Sequence, residues 1–215
     1  SGPLAPTPRT RHPMQADGGG RVRRRPRRIF VTVGTTSFDA LVGAVSDPRF
    51  LGPMGRPEFG GYGSITVQYG RGEAPPYGEE GDGIEGAMER SAYRFRPTLR
   101  PDMEGADLIL SHAGAGSIME GLELCARSLP EKEAGKDRTR RKRLVVVTNA
   151  SLMGGHQSEL AEALGERGHL LVVTDPADLV QEEVLRRIED FVPVPFRGGD
   201  GGRDFAALVD GHFGF

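Results

Sequence analysis

The sequence predicts an α/β protein, a Rossmann-like fold on a parallel sheet, and three observations lead there. Apolar runs of strand length alternate with helix-like patterns along residues 29–190. One run, Leu144-Val145-Val146-Val147, is continuously apolar rather than alternating, as expected of a strand covered on both faces. Several runs end abruptly in glycine or small polar residues, and in open α/β sheets ligands bind outside such strand ends.

Taken in order, Ile29 to Val33 reads as a buried strand broken at Gly34. A helix with Phe38, Leu41, Val42 and Val45 on one face follows, with Thr36 or Ser37 available to cap it. Residues 46–63 read as a Gly/Pro-rich loop, and Ile65 to Tyr69 as a second strand. Residues 70–90 read as another Gly-rich stretch, Tyr93 to Phe95 as a short strand, and Met103 to Ala106 as part of a short helix. Leu108 to Leu110 predicts a strand ending at Ser111-His112, and a helical pattern runs from Ile118 to about Ala126. Residues 128–143 carry seven Lys or Arg against three acids and read as an exposed insertion. A helix is expected from His156 to Glu166, stopping at Gly168. Leu170 to Val173 reads as the last core strand, and Pro176 as opening a helix over 177–190.

Composition narrows the function classes. Glycine (32) and proline (16) make up about a fifth of 215 residues, so loops and tails are extensive. Residues 1–28 hold eight arginines against one acid, a charge of +7, which leaves −9 on the remainder. The segment reads as a disordered basic tail; no apolar core follows its arginines, so it does not read as a secretory signal. A nucleic-acid role is disfavoured, because aromatics do not interleave with the basic residues and the core is acidic. The lone Cys125 excludes an internal disulfide and sits among Leu122, Leu124 and Ala126 as a buried helix position. No apolar run approaches the ~20 residues of a membrane span.

Three loops at strand ends carry the candidate chemistry. In Ser111 to Ser117 a strand passes into a helix through Gly114 and Gly116. Glycine permits close backbone approach, and a helix start offers unpaired N–H donors with partial positive charge, a fit for a diphosphate. The plain alternative is a tight turn capped by Ser117. Glu120, one turn in, is within reach of ribose hydroxyls. Gly34, Thr35 and Thr36 form a second polar loop, for which a simple helix cap is the better reading on pattern alone. Asn149 to Gln157 is the third; His156 and Gln157 suit either a ligand or a solvated helix start. A dinucleotide fingerprint fails at Met119, no Walker lysine follows a glycine loop, and Ser117 is not framed as a hydrolase elbow. Neither an Asp-x-Asp pair nor zinc-ligand spacing occurs, so no metal is expected.

Five segments in order resemble a known family. They are Phe30-Val-Thr-Val-Gly-Thr-Thr-Ser-Phe-Asp39, Ile109-Leu-Ser-His-Ala-Gly-Ala-Gly-Ser117, Leu144-Val-Val-Val-Thr-Asn149 with Leu152-Met153, His156-Gln-Ser-Glu-Leu-Ala161 and Gly168-His-Leu170. Over about residues 29–175 the chain is similar to the asparagine-linked-glycosylation subunit thirteen family. The resemblance implies the donor-binding half of a GT-B glycosyltransferase, of the family 28 C-terminal type. It implies transfer of N-acetylglucosamine from UDP-N-acetylglucosamine to dolichyl-diphosphate-N-acetylglucosamine, with inversion and with no cofactor or metal. A membrane-anchored partner of the subunit fourteen type would complete the enzyme and hold it at the cytosolic face of the endoplasmic reticulum membrane, beside a cytosolic pool. Mapped here, Gly114, Gly116 and Ser117 hold the diphosphate and Glu120 the ribose; Asn149, His156 and Gln157 serve the donor sugar or its phosphate. Gly34, Thr35 and Thr36 line the acceptor side. The base is unassigned between the partner and the candidates His112 and His156, with His112 expected one layer behind the ligand. The basic tail and residues 128–143 depart from the family core. Residues 191–215 are expected to form a C-terminal tail whose Phe205, Leu208, Val209, Phe213 and Phe215 pack on the partner. A non-catalytic UDP-sugar-binding regulatory module is the competing reading.

Overall fold

A computed structural model describes residues 25–78, 88–128, 141–148 and 155–196, with the backbone alone at 155–157. Six parallel strands form one sheet: β1 (Arg27–Thr32), β2 (Tyr62–Gln68), β3 (Glu89–Tyr93), β4 (Leu108–His112), β5 (Arg143–Val147) and β6 (Leu171–Val173). Their order is β3-β2-β1-β4-β5-β6. The chain therefore steps outward from β1 to β3, then returns to the far side of β1 and steps outward again. The reversal falls between β1 and β4, which pair from Ile29↔Leu108 to Thr32↔Ser111. A crevice opens at such a switch point, beyond the carboxyl ends of the two strands.

Side chains alternate across the strands and separate two cores. Ile29, Val31, Leu108, Leu110, Val145 and Val147 face one side. There they meet α1 (Asp39–Ser46), α2 (Pro48–Met54) and α6 (Glu182–Asp190). Phe30, Ile109, Leu144 and Val146 face the other. They pack on α3 (Arg100–Gly105), α4 (Ala115–Arg127) and α5 (Gly155–Glu166). Both faces of β4 and β5 are covered, which is why Leu108 to Leu110 and Leu144 to Val147 are continuously apolar. Cys125 is buried in the second core, where burial pushes its thiol up to about 12. The α5 helix ends as expected, with Gly168 at φ +73° and its N–H on Gly165 O. Among the described residues no helix is long and apolar enough to cross a membrane.

The structure corrects several expectations. The presumed loop 46–63 contains α2, capped by the Asp47 carboxylate accepting from Arg49 N–H at 2.7 Å and anchored by Phe50, Leu51 and Met54. It also holds a 3-10 turn, Pro57–Phe59. The edge strand β3 lies four residues earlier than expected, at Glu89 rather than Tyr93. Residues 177–190 are two elements, a 3-10 turn (Pro176–Val180) and α6, broken at Gln181, whose backbone is extended. Nor does the exposed insertion reach residue 143. Lys142 is buried, its ammonium donating to Met103 O at 2.7 Å, to Glu104 O at 3.1 Å and to Ala106 O around the end of α3.

The end of the basic tail also belongs to the fold. Arg27 starts β1, is 7% exposed, and pairs with Glu189 of α6 at 2.6 Å. Arg143 approaches the same carboxylate at 3.4 Å and donates to Glu189 O at 2.6 Å. Arg25 meets Asp107 at 3.3 Å. Three elements are thus tied at the amino end of the sheet, opposite the crevice. The segments 1–24, 129–140 and 197–215, with Phe205 to Phe215, lie outside the described residues.

Candidate functional site

β1 leaves the sheet through Gly34, whose φ of +63° favours glycine. Gly34 N–H donates to Thr32 Oγ1 at 3.1 Å and to Gln68 Oε1 at 3.0 Å. Thr36 Oγ1 turns back to donate to Val33 O at 3.0 Å. Neither Thr36 nor Ser37 caps α1, contrary to expectation: the N-cap is Phe38, and no side chain bonds there. Thr35, Thr36 and Ser37 stay exposed instead. The end of β2 braces this loop, with Arg71 N–H donating to Thr36 O at 2.9 Å and Gly70 packed against the same carbonyl.

Across the switch point β4 ends in His112, 8% exposed. Its imidazole fills the slot between the two glycine loops. A methyl group on Gly34 would come within 2.6 Å of His112 Cε1, and one on Gly114 would overlap Nε2. Burial lowers the imidazole pKa, so the ring is neutral at pH 7.

Helix α4 then starts at Gly114, an N-cap residue with no side chain to offer. The first intrahelical bond is Ile118 N–H to Gly114 O at 3.0 Å. The N–H groups of Ala115, Gly116 and Ser117 precede it and have no acceptor within the helix. Ser117 is the third helical residue and is not the cap. Ala115 and Gly116 are exposed, and among the described residues nothing lies within 4 Å of a Cβ placed on Gly116. Ile118, Leu122 and Cys125 hold the opposite side of α4 in the core. The result is a helix anchored by its buried side, whose positive end carries no side-chain cap among the described residues.

Glu120 lies one turn into α4, its side chain 32% exposed and 3.9 Å from Arg100 Nη1. Arg100 also meets Glu104 at 2.9 Å and Glu123 at 3.3 Å. A cavity of about 640 Å³ opens here, lined among others by Arg100, Met119, Glu120 and Phe196.

The structure therefore brings Gly34, Thr35 and Thr36 together with His112, Gly114, Gly116 and Ser117, and sets Glu120 beside a cavity. His156 and Gln157 fall on the first turn of α5, after β5, with their side chains undescribed, and Asn149 lies outside the described residues. Among the described residues no three His, Cys, Asp or Glu side chains converge as a metal site. Sequence reasoning missed Gln68, which is 1% exposed and bonded to the Gly34 peptide. Its signal was a polar residue closing the apolar run of β2.

Residues 28–129 match the glycosyltransferase family 28 C-terminal domain. The chain is 41% identical over 146 residues to the human UDP-N-acetylglucosamine transferase subunit ALG13, covering 68% of this chain and 11% of that much longer protein. It is 30% identical over 193 residues to the ALG13 subunit of Cryptococcus neoformans var. neoformans (serotype D, strain JEC21), covering 79% of this chain and 85% of that one. The chain belongs to the ALG13 family. The NMR solution structure of ALG13 superimposes with a TM-score of 0.56 at 22% identity, covering 86% of this chain and 95% of that one, and so shares the fold. Within this ALG13-family chain, the family 28 domain match spans β1 to the end of α4, and thus both glycine loops of the crevice.

Proposed function

We propose that this chain is the donor-binding, catalytic subunit of a UDP-N-acetylglucosamine transferase that adds the second N-acetylglucosamine to dolichyl-diphosphate-N-acetylglucosamine. The observation that carries the reading is the start of α4 at the β1/β4 switch point, which has no side-chain cap among the described residues and is linked to the Gly34 loop through the His112 ring. A diphosphate there accepts from Ala115, Gly116 and Ser117, with no metal in the scheme. Glu120 receives the ribose hydroxyls, and Asn149, His156 and Gln157 the sugar and its phosphate. Gly34, Thr35 and Thr36 face the acceptor.

In the reaction the acceptor hydroxyl attacks the anomeric carbon from the side opposite UDP. The bond from that carbon to the diphosphate breaks, and the configuration inverts. Negative charge grows on the departing diphosphate, where the aligned N–H groups of α4 stabilise it without reorganising. The hydroxyl proton goes to a base on the partner, to His156 or to His112. His112, buried and neutral beneath the loops, shapes the crevice floor. A membrane-anchored partner of the subunit fourteen type brings the lipid-linked acceptor, which places the pair at the cytosolic face of the endoplasmic reticulum.

The test is co-purification with such a partner, followed by transfer from UDP-N-acetylglucosamine to a lipid-linked acceptor. Transfer by the pair, and by neither chain alone, is expected. Donor binding with no transfer by the pair would assign the chain to a regulatory UDP-sugar-binding module instead.

A further inference from the structure

Gln68 ends β2 with its side chain wholly inside the protein, and all four of its hydrogen-bonding positions are in use. Oε1 accepts from the Thr32 hydroxyl at 2.6 Å and from Gly34 N–H at 3.0 Å. Nε2 donates to Gly34 O at 2.7 Å and to Arg94 O at 2.9 Å. A carboxamide has two donors and two acceptor lone pairs, so no capacity is left over. A glutamine that only satisfied stray carbonyls would not need this arrangement. Here one side chain grips both the N–H and the C=O of Gly34, fixing the peptide planes on either side of a residue at φ +63°.

Gly34 is also the wall against which the His112 ring packs, and Gly114, which starts α4, is the other wall. Gln68, Gly34, His112 and Gly114 thus form one line of contact across the switch point. Its length sets the gap between the Gly34–Thr36 loop and the bare end of α4. Arg94 joins the same assembly from the end of β3. Its carbonyl is taken by Gln68, and its guanidinium donates to Gly70 O at 3.2 Å and lies 4.9 Å from the centre of the Tyr69 ring.

We infer that Gln68 is a positioning residue for the nucleotide site: it holds the Gly34 peptide at the height that keeps the α4 N-terminus and the Gly34–Thr36 loop correctly spaced around a diphosphate. The inference rests on the UDP reading above. Gln68 does not touch the ligand, because it is buried beneath the loop, and it acts through Gly34.

Two variants separate positioning from plain stabilisation. Gln68→Met keeps the size and removes all four bonds. Gln68→Glu keeps the acceptor toward Thr32 and Gly34 but sets a carboxylate oxygen against the carbonyls of Gly34 and Arg94; protonation at low pH returns one donor. UDP affinity is measured by calorimetry for both variants and the unaltered protein at pH 7 and pH 5.5, with the folded fraction checked by circular dichroism. The expected result is at least about tenfold weaker UDP binding by folded Gln68→Met, the size of a lost hydrogen-bond set acting at a distance. Gln68→Glu is also weaker at pH 7, and its ratio to the unaltered protein narrows at pH 5.5. Lower thermal stability with unchanged UDP affinity would overturn the inference, as would a Gln68→Glu ratio that does not move with pH. If Gln68→Met does not fold, Gln68→Glu decides alone; if neither folds, Gln68 is simply structural and the inference fails. Absence of UDP binding by the unaltered protein would instead bring down the nucleotide reading, and the role of Gln68 with it.

Discussion

Gly114 lacks a side chain because His112 occupies the space one would fill: a methyl group there would overlap the imidazole Nε2. A Cβ on Gly116, two residues on, would meet nothing among the described residues. The two glycines of one motif therefore have different reasons, one packing and one access, and substitutions divide them. Gly114→Ala overpacks the slot and should cost about 1–3 kcal/mol, the usual penalty for an extra methyl in a filled interior. In Gly116→Asp the added Cβ meets nothing among the described residues; the change improves on glycine in helix propensity and places an acid at the helix N-terminus, so the fold should be unharmed or slightly stabilised. It should nonetheless lose UDP binding by at least about tenfold, because a carboxylate repels the diphosphate. Thermal melts and calorimetry on both variants check the contrast.

The position of His112 gives stability a pH dependence. Burial lowers its pKa below that of the unfolded chain, so the folded state resists protonation. Above the ordinary histidine value, ~6.5, both states are neutral and this contribution is whole. As pH falls through that value the unfolded state takes up a proton first, and stability drops until the folded-state pKa is passed. Between pH 7 and pH 5 the melting temperature of the unaltered protein should fall more steeply than that of His112→Gln. Parallel curves would contradict this account of the slot.

Glu120 is about one-third exposed and only loosely paired with Arg100 at 3.9 Å, so its carboxylate is available to a ribose. Glu120→Ala should weaken UDP binding by ~1–3 kcal/mol, the worth of a hydrogen bond to a charged group. It should leave the melting temperature nearly unchanged. Equal affinity would remove Glu120 from the ribose role.

At the other end of the sheet Glu189 sits between two buried arginines, Arg27 and Arg143. Glu189→Ala leaves both without their counter-charge and should cost roughly 3–5 kcal/mol. Folded protein should still bind UDP normally, since the crevice lies at the opposite strand ends. Urea unfolding and calorimetry on the same sample give both readings.

Much of this was legible in the sequence, for physical reasons. Buried parallel strands such as Leu144 to Val147 are recognisable because both faces exclude polar residues. The switch-point loops are recognisable because glycine and small polar residues gather where backbone must be exposed. Elements that depend on long-range partners were harder to read. The α2 helix hides behind Pro48, Gly52 and Pro53, and its Asp47 cap and three buried apolar residues outweigh that composition. Arg27, Lys142 and Arg143 looked like tail and insertion; only their partners, Glu189 and the carbonyls around the end of α3, make burying them tolerable. Gln68 escaped notice for the same reason, since its four hydrogen bonds go to the ends of two other strands, β1 and β3.

The central claim is that the bare N-terminus of α4 grips the diphosphate of UDP. Titrating UDP into the protein in a calorimeter, alone and in complex with its partner, tests it most directly. Saturable binding at one site, abolished by Gly116→Asp, is the predicted result. No heat from UDP or from UDP-N-acetylglucosamine, with the chain alone and with the complex, would contradict it.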